Sequence, residues 1–233
     1  MPDILKKAST GRMAEVVFNG PAGRIEGRYH KSYNTDDAPL ALILHPHPQY
    51  GGTMNNKVVY ALYRCFMDLG FNVLRFNFRG VGLSQGSFDN GEGELSDAAA
   101  AMDWLQMQHP NSREYWVAGF SFGALIGMQL LMRRPELSGF VSVSPPADSD
   151  EFGFLAPCPV SGLILHGTKD DVVEPQSVLK LANKLNRQKG IEVEMKMMEG
   201  CDHFFSGQLP EFCQNVKEYI RLRTDDETVR LAS

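Results

Sequence analysis

Short apolar segments alternate with segments of helical apolar spacing along most of this chain. Leu40–Leu44 is apolar throughout, as expected for a strand buried on both faces. Strands that alternate with helices predict an α/β fold, with a mostly parallel sheet covered by helices on both sides. About eight strands are predicted: Glu15–Asn19, Arg24–Tyr29, Leu40–Leu44, Asn72–Phe76, Tyr115–Gly119, Gly139–Val143, Val160–Leu165 and Glu192–Met197.

The first two predicted strands flank Gly20-Pro-Ala-Gly23 and form an antiparallel hairpin in this interpretation. The sequence contains no repeat, no linker and no abrupt change of composition, so we predict one domain over residues 1–233. The polar ends, residues 1–14 and 224–233, are expected to be flexible.

Composition excludes several classes of function. The chain has 233 residues and a net charge of −5, without the basic excess typical of proteins that bind nucleic acid or anionic membranes. No apolar run approaches the length of a membrane span, and the first residues lack the apolar region of a signal peptide. The four cysteines show no C-x-x-C spacing, which favours reduced thiols. A cytoplasmic protein is therefore expected, and a homodimer is compatible with these features.

The segment Gly119-Phe-Ser-Phe-Gly123 has the Gly-x-Ser-x-Gly form, between a predicted strand and a predicted helix. In such an elbow the chain turns sharply, and the glycines keep the approach to the serine clear. The serine also lies at a helix N-terminus, which favours developing negative charge. Ser121 is the predicted nucleophile.

A serine hydroxyl needs a neutral imidazole as base and an acid that orients it. In a fold of this kind, the acid and then the histidine follow the serine on loops after later strands. Only His166 and His203 lie downstream of Ser121, and His203 follows the last predicted strand, so it is the predicted base. The loop after His166 offers Asp170 and Asp171 as acids, and the Gly-x-x-Asp spacing favours Asp170.

The loop His45-Pro-His-Pro-Gln-Tyr50 follows the first buried strand, where a second oxyanion N–H is expected. Proline has no N–H, so His47, Gln49 and Tyr50 remain as donors, of which His47 comes first. A His-x-His pair can bind zinc, but no carboxylate or cysteine ligand is evident close by, and no metal is predicted. Phe78-Arg-Gly-Val-Gly82 lacks the third glycine of a dinucleotide site, and no cofactor is predicted.

These segments, together with Asp202-His-Phe-Phe, carry a resemblance that covers the chain from about Glu15 to Arg223. The chain resembles the small α/β-hydrolases related to dienelactone hydrolase and the short-chain bacterial carboxylesterases. The resemblance implies a triad of Ser121, Asp170 and His203, and an oxyanion hole formed by the N–H of Phe122 and one N–H of the His47 loop. Dienelactone hydrolase has a cysteine at the elbow, so lactone substrates are not implied.

The function expected from these residues is hydrolysis of small carboxylic esters through an acyl-enzyme, with a small-molecule ester as partner. Thioester, amide or peptide hydrolysis and acyl transfer on the same triad remain open, as does a non-catalytic binding protein with this fold.

The segment Ser144–Pro159 is too short to hold a cap of several helices, so a shallow cleft suited to short acyl chains is expected. Its predicted walls are aromatic or apolar side chains: Phe152, Phe154, Phe122 and Phe204, with Tyr50 and Met54 on the opposite rim.

Overall fold

The computed structural model describes residues 12–33, 35–147, 158–187 and 189–231. Its strands are β1 (Arg12–Gly20), β2 (Gly23–Lys31), β3 (Leu40–Leu44), β4 (Asn72–Phe76), β5 (Tyr115–Phe120), β6 (Gly139–Val143), β7 (Gly162–Gly167) and β8 (Val193–Met198). Its α-helices are α1 (Lys57–Asp68), α2 (Glu92–Gln108), α3 (Phe122–Leu131), α4 (Pro175–Leu185) and α5 (Leu209–Leu231), and Pro48–Tyr50 forms one 3₁₀ turn.

The strands form one sheet in the order β1-β2-β4-β3-β5-β6-β7-β8. β1 and β2 pair antiparallel, as do β2 and β4, and every pair from β4 to β8 along the sheet is parallel. The predicted α/β-hydrolase architecture with an N-terminal antiparallel hairpin is confirmed. β5 lies in the centre of the sheet, so the loop that follows it is surrounded by the ends of its parallel neighbours.

Alternate residues of the central strands face two separate apolar layers. Leu42 and Val117 pack with α2, α3 and α4 on one side, whereas Ile43 and Ala118 pack with α1 and α5 on the other. Both faces of each central strand are therefore buried, which explains the continuous apolar runs. At about 1.5–3 kcal/mol for each fully buried large side chain, these layers provide most of the stabilisation of the framework that carries the site.

Several boundaries differ from the predicted ones. β1 and β2 have nine residues each because their ladder continues in register from Gly20 and Gly23 to Arg12 and Lys31. β7 begins two residues later than predicted, at Gly162. α5 continues to Leu231, beyond the predicted end at Thr224, whose hydroxyl donates to the Ile220 carbonyl inside the helix.

None of the helices in the described ranges combines the length and the apolar character needed to cross a membrane. Phe152 and Phe154, which are predicted to line the pocket, lie outside the described residues.

Candidate active site

Ser121 occupies a sharp turn between β5 and α3. Its φ of 55° and ψ of −120° lie in a region that residues with a side chain rarely adopt. The turn is held by the Ser121 N–H, which donates to the Val143 carbonyl at 2.8 Å. This is the elbow that the Gly-x-Ser-x-Gly pattern predicts.

The two glycines of the pattern are required by close backbone contacts. A Cβ atom on Gly119 would lie 2.1 Å from the Gly123 carbonyl oxygen, and one on Gly123 would lie 2.5 Å from the Leu44 carbonyl oxygen. Since real Cβ atoms do not approach backbone atoms this closely, only glycine lets α3 begin directly against the end of β3.

Asp170 and His203 meet at the carboxyl end of the sheet. His203 Nδ1 lies 2.7 Å from Asp170 Oδ2, and both side chains are buried. The other carboxylate oxygen, Oδ1, accepts the N–H groups of Val172 and Val173 at 3.0 and 2.9 Å. Burial opposes ionisation of Asp170, but the hydrogen bonds outweigh it and hold the pKa of the carboxyl below its usual value. Asp171, the alternative acid, is exposed.

The imidazole of His203 packs beside the elbow. Its ring lies 4.9 Å from the ring of Phe120, the residue before Ser121, and 5.2 Å from the ring of Phe204. With Nδ1 hydrogen-bonded to Asp170, Nε2 is the nitrogen left to accept a proton. Ser121 Oγ makes no hydrogen bond with any residue that the structure describes, and catalytic bonds of this kind often tighten only when substrate is bound.

A second buried histidine, His166, stands behind the carboxylate. Its Nε2–H donates to the Val173 carbonyl at 3.2 Å, and the same nitrogen lies 3.7 Å from Asp170 Oδ2. Burial lowers the pKa of His166, which favours the neutral ring. The sequence predicts that this residue ends a strand and shapes the loop that follows, and that it is not the base.

His45 holds the loop that follows β3. Its Nδ1–H donates to the Pro46 carbonyl at 2.6 Å, while Nε2 accepts the Phe78 N–H at 3.0 Å. The ring is fully buried, and burial lowers the pKa of His45 to about 4. Because both ring nitrogens have main-chain partners, this side chain presents no lone pair to a metal ion.

The sequence offers the N–H groups of His47, Gln49 and Tyr50 as the second oxyanion donor, and they differ in whether they already have an acceptor. The Gln49 N–H donates to His47 Nδ1 at 3.2 Å, and the Tyr50 N–H donates to the His47 carbonyl at 3.1 Å. The N–H of His47 has no acceptor among the residues described. Phe122 is the first residue of α3, where a helix supplies no internal acceptor for the N–H.

A cavity of about 830 Å³ opens beside Ser121. Ser121, Phe122, His47 and Tyr50 line it, together with residues from the start of α2 and the end of α3. Its lining continues along α3 as far as Arg133.

Two predicted wall residues lie elsewhere within the described structure. Met54 is 2% exposed, held under the loop because its N–H donates to Asn77 and its carbonyl accepts from Arg75. Phe204 packs edge-on against the His203 ring and does not line the cavity. Both therefore correct the prediction. Glu92, Gln129 and Arg133 line the cavity instead and were not singled out in the sequence. Gln129 and Arg133 belong to the helix and turn that follow Ser121, whereas Glu92 reaches the cavity through the packing of α2 on α3.

Comparison with known proteins agrees with this architecture. The chain matches the α/β hydrolase fold family over residues 39–160, which is more than half of its length. It also matches the prolyl oligopeptidase family over residues 156–220, the part that contains Asp170 and His203. The chain belongs to the α/β hydrolase fold family.

Three individual proteins that are similar to this chain specify the kind of α/β hydrolase more closely. An uncharacterised protein of Rickettsia prowazekii is 52% identical over 212 residues, which cover 89% of each chain. A structure from Agrobacterium tumefaciens, described as a protein of unknown function and an α/β hydrolase, is 55% identical, with a TM-score of 0.88 over 92% of this chain and 98% of that one. An α/β serine hydrolase without a lid, from Xanthomonas campestris, is 33% identical, with a TM-score of 0.81 over 90% and 94% of the two chains. The chain is a small α/β serine hydrolase of the group without a large cap.

Proposed function

We propose that this protein hydrolyses small carboxylic esters through an acyl-enzyme on Ser121, with His203 as base and Asp170 as the acid that orients it. The observation that carries the proposal is the 2.7 Å contact between Asp170 and His203 beside the strained turn at Ser121. Asp170 would stay ionised, fix the Nδ1–H tautomer of His203 and stabilise the imidazolium that forms.

In the first half of the reaction, Ser121 Oγ attacks the ester carbonyl carbon and transfers its proton to His203 Nε2. The tetrahedral intermediate then breaks its bond to the alcohol oxygen, which takes that proton from His203. In the second half, water attacks the carbonyl carbon of the acyl-enzyme and transfers a proton to His203 Nε2. The second tetrahedral intermediate then breaks its bond to Ser121 Oγ, which takes that proton from His203, and the carboxylic acid is released.

The oxyanion of each tetrahedral intermediate needs donors that are already in place. The N–H groups of Phe122 and His47 are the proposed pair, because the other N–H groups of the His47 loop already donate within it. Removing one donor of such a pair typically costs a factor of about 10²–10³ in turnover.

The match to the prolyl oligopeptidase family favours hydrolysis of amides or peptides as a second candidate. The same triad performs both reactions, and the difference lies in the leaving group. Matched p-nitrophenyl esters and p-nitroanilides of one acyl group compare the two candidates directly.

The test is hydrolysis of p-nitrophenyl acetate by the wild-type chain and by Ser121→Ala. We expect turnover by the wild type and a fall to the background rate in the variant. Wild-type chain that releases no product from ester, thioester or anilide would instead favour a non-catalytic binding protein. Ser121→Ala with full activity would show that the reaction uses another group.

A further inference from the structure

Along α3 the cavity beside Ser121 is lined by three apolar side chains and one glutamine, with a cation at the far end. Phe122, Leu125, Gln129 and Met132 recur at helical spacing, so they form one face of α3 and its C-terminal turn. Arg133 follows directly and also lines the cavity. At a rise of about 1.5 Å per residue, Arg133 lies about 16 Å along the groove from Phe122.

Arg133 has no ion pair within the described chain. Its neighbour Arg134 contacts Asp103, Glu136 and Gln106, whereas the side chain of Arg133 is exposed and bonded to no described residue. An unpaired guanidinium on a groove wall is ready to bind a carboxylate or phosphate in a bidentate manner.

A second charge, Glu92, lines the same cavity closer to Ser121. Glu92 directly follows Gly91. A Cβ atom added to Gly91 would lie 3.6 Å from the side chain of Ile126 and 4.0 Å from that of Phe122. The start of α2 therefore lies beside the first turn of α3. Glu92 and Arg133 are therefore separated along the groove. A substrate anion close to the ester group would be repelled by the Glu92 carboxylate, whereas an anion at the far end of the groove would be attracted by the Arg133 guanidinium.

The acyl arm of a substrate is the arm that enters this groove. The alcohol oxygen has to receive a proton from His203, so the leaving group lies on the His203 side of Ser121. His203 is not part of the groove lining. The cavity is also lined by Val172 and Val173 of the Asp170 loop, but an acyl arm on the side of Ser121 opposite His203 would lie over Phe122 and along α3.

We propose that the preferred substrates are esters of amphiphilic acids, whose aliphatic acyl arm ends in an anionic group bound by Arg133. This rests on the proposed ester hydrolysis and specifies its substrate class. An extended alkyl chain advances about 1.3 Å per carbon, so an arm of about eight to twelve carbons spans the groove. Glu92 disfavours arms whose anion lies only a few carbons from the ester.

The experiment uses p-nitrophenyl monoesters of dicarboxylic acids with about four to twelve carbons, each beside the neutral ester of the same length. The measured quantity is the ratio of kcat/KM for the charged ester to kcat/KM for the neutral one. In the wild type this ratio should be below one for the shortest pair and rise above one for the longest pairs. Added salt should reduce the long-chain ratio, because the ion pair is partly exposed.

Three variants make the test specific. Arg133→Gln should lower the long-chain ratio by about fivefold, the upper range for an exposed ion pair. Glu92→Gln should raise the short-chain ratio. Arg113→Gln removes the same charge from an exposed site just before β5, at the amino ends of the parallel strands and away from the site, and should behave as the wild type at every length.

The proposal about Arg133 would be overturned if the neutral esters are cleaved but the charged-to-neutral ratio of kcat/KM does not change with chain length. It would also be overturned if this ratio is the same in the wild type and in Arg133→Gln. Absence of product from every ester, neutral or charged, would overturn the proposed ester hydrolysis itself, so the two failures are distinguishable.

Discussion

The ring Nε2 of His166 lies 3.7 Å from the Oδ2 atom of Asp170, so one buried carboxylate faces two buried histidines. His203 makes the shorter contact, at 2.7 Å. His166 stabilises the loop that carries Asp170, because its Nε2–H donates to the Val173 carbonyl. His166 is therefore a positioning residue for the acid in the proposed mechanism, because it acts through Asp170 and does not contact the substrate.

We expect His166→Phe to lower kcat by about tenfold through loss of this buried polar contact, with little change in KM. Steady-state kinetics with p-nitrophenyl acetate measure both constants, and thermal unfolding reports whether the variant folds. His30→Phe, at a buried histidine of β2 away from the site, is the matched control and should keep the wild-type kcat. An equal fall in both variants would point to a general packing effect.

The two neighbouring aspartates should behave differently. Asp170→Asn should reduce kcat by up to about 10⁴-fold, because an amide favours the wrong tautomer of the imidazole. Asp171→Asn changes an exposed side chain and should leave kcat within about twofold of the wild type, since exposed substitutions of this kind have small effects. The assignment of the acid is wrong if Asp171→Asn is the variant that loses activity.

His45 should make the fold sensitive to acid. Its folded pKa of about 4 is below the ordinary histidine value of about 6.5, so the unfolded chain binds more protons between these two pH values. The free energy of unfolding therefore falls as pH decreases from about 6.5 to 4, by about 3 kcal/mol for this one group. Burial lowers the pKa values of His30, His109 and His166 as well, which adds to the loss with the same sign.

Urea unfolding of the wild type and of His45→Asn across this pH range measures the effect. The variant should be less stable at pH 7, because Phe78 N–H loses its ring acceptor, but its stability should depend less on pH. Parallel pH curves for the two proteins would exclude His45 as a source of the acid sensitivity.

The second glycine of the elbow gives a prediction about geometry. Gly123→Ala places a Cβ 2.5 Å from the Leu44 carbonyl, so α3 has to move from β3, and we expect a loss of about 1–3 kcal/mol in stability and a larger loss of activity. Gly127→Ala, one turn later on the same helix, meets a side-chain atom of Val117 at 3.3 Å and should be tolerated much better. Similar losses in both variants, seen by urea unfolding and ester turnover, would argue against the close approach.

The sheet and the elbow could be predicted because their signals are local. The apolar run Leu40–Leu44 and the Gly-x-Ser-x-Gly spacing are each visible in a few consecutive residues, although the contact that requires Gly123 is with the distant Leu44 carbonyl. The order of serine, acid and histidine after successive parallel strands likewise predicts the proximity of Asp170 and His203, while their catalytic roles stay predictions.

The cavity walls could not be predicted in this way. Glu92 and Arg133 reach the same groove only through the packing of α2 on α3, and Met54 turns inward because Asn77 and Arg75 bind its backbone. Sequence patterns mark apolar loop residues but do not tell which side of a loop faces the substrate.

The central claim is that Ser121 carries the acyl group, and labelling with a fluorophosphonate tests it most directly. The wild-type chain should gain one adduct per molecule, located on the peptide that contains Ser121 by mass spectrometry. Ser121→Ala, checked for its fold by circular dichroism, should gain none. An adduct on another residue of the wild type, or labelling of Ser121→Ala at the wild-type rate, would contradict the account.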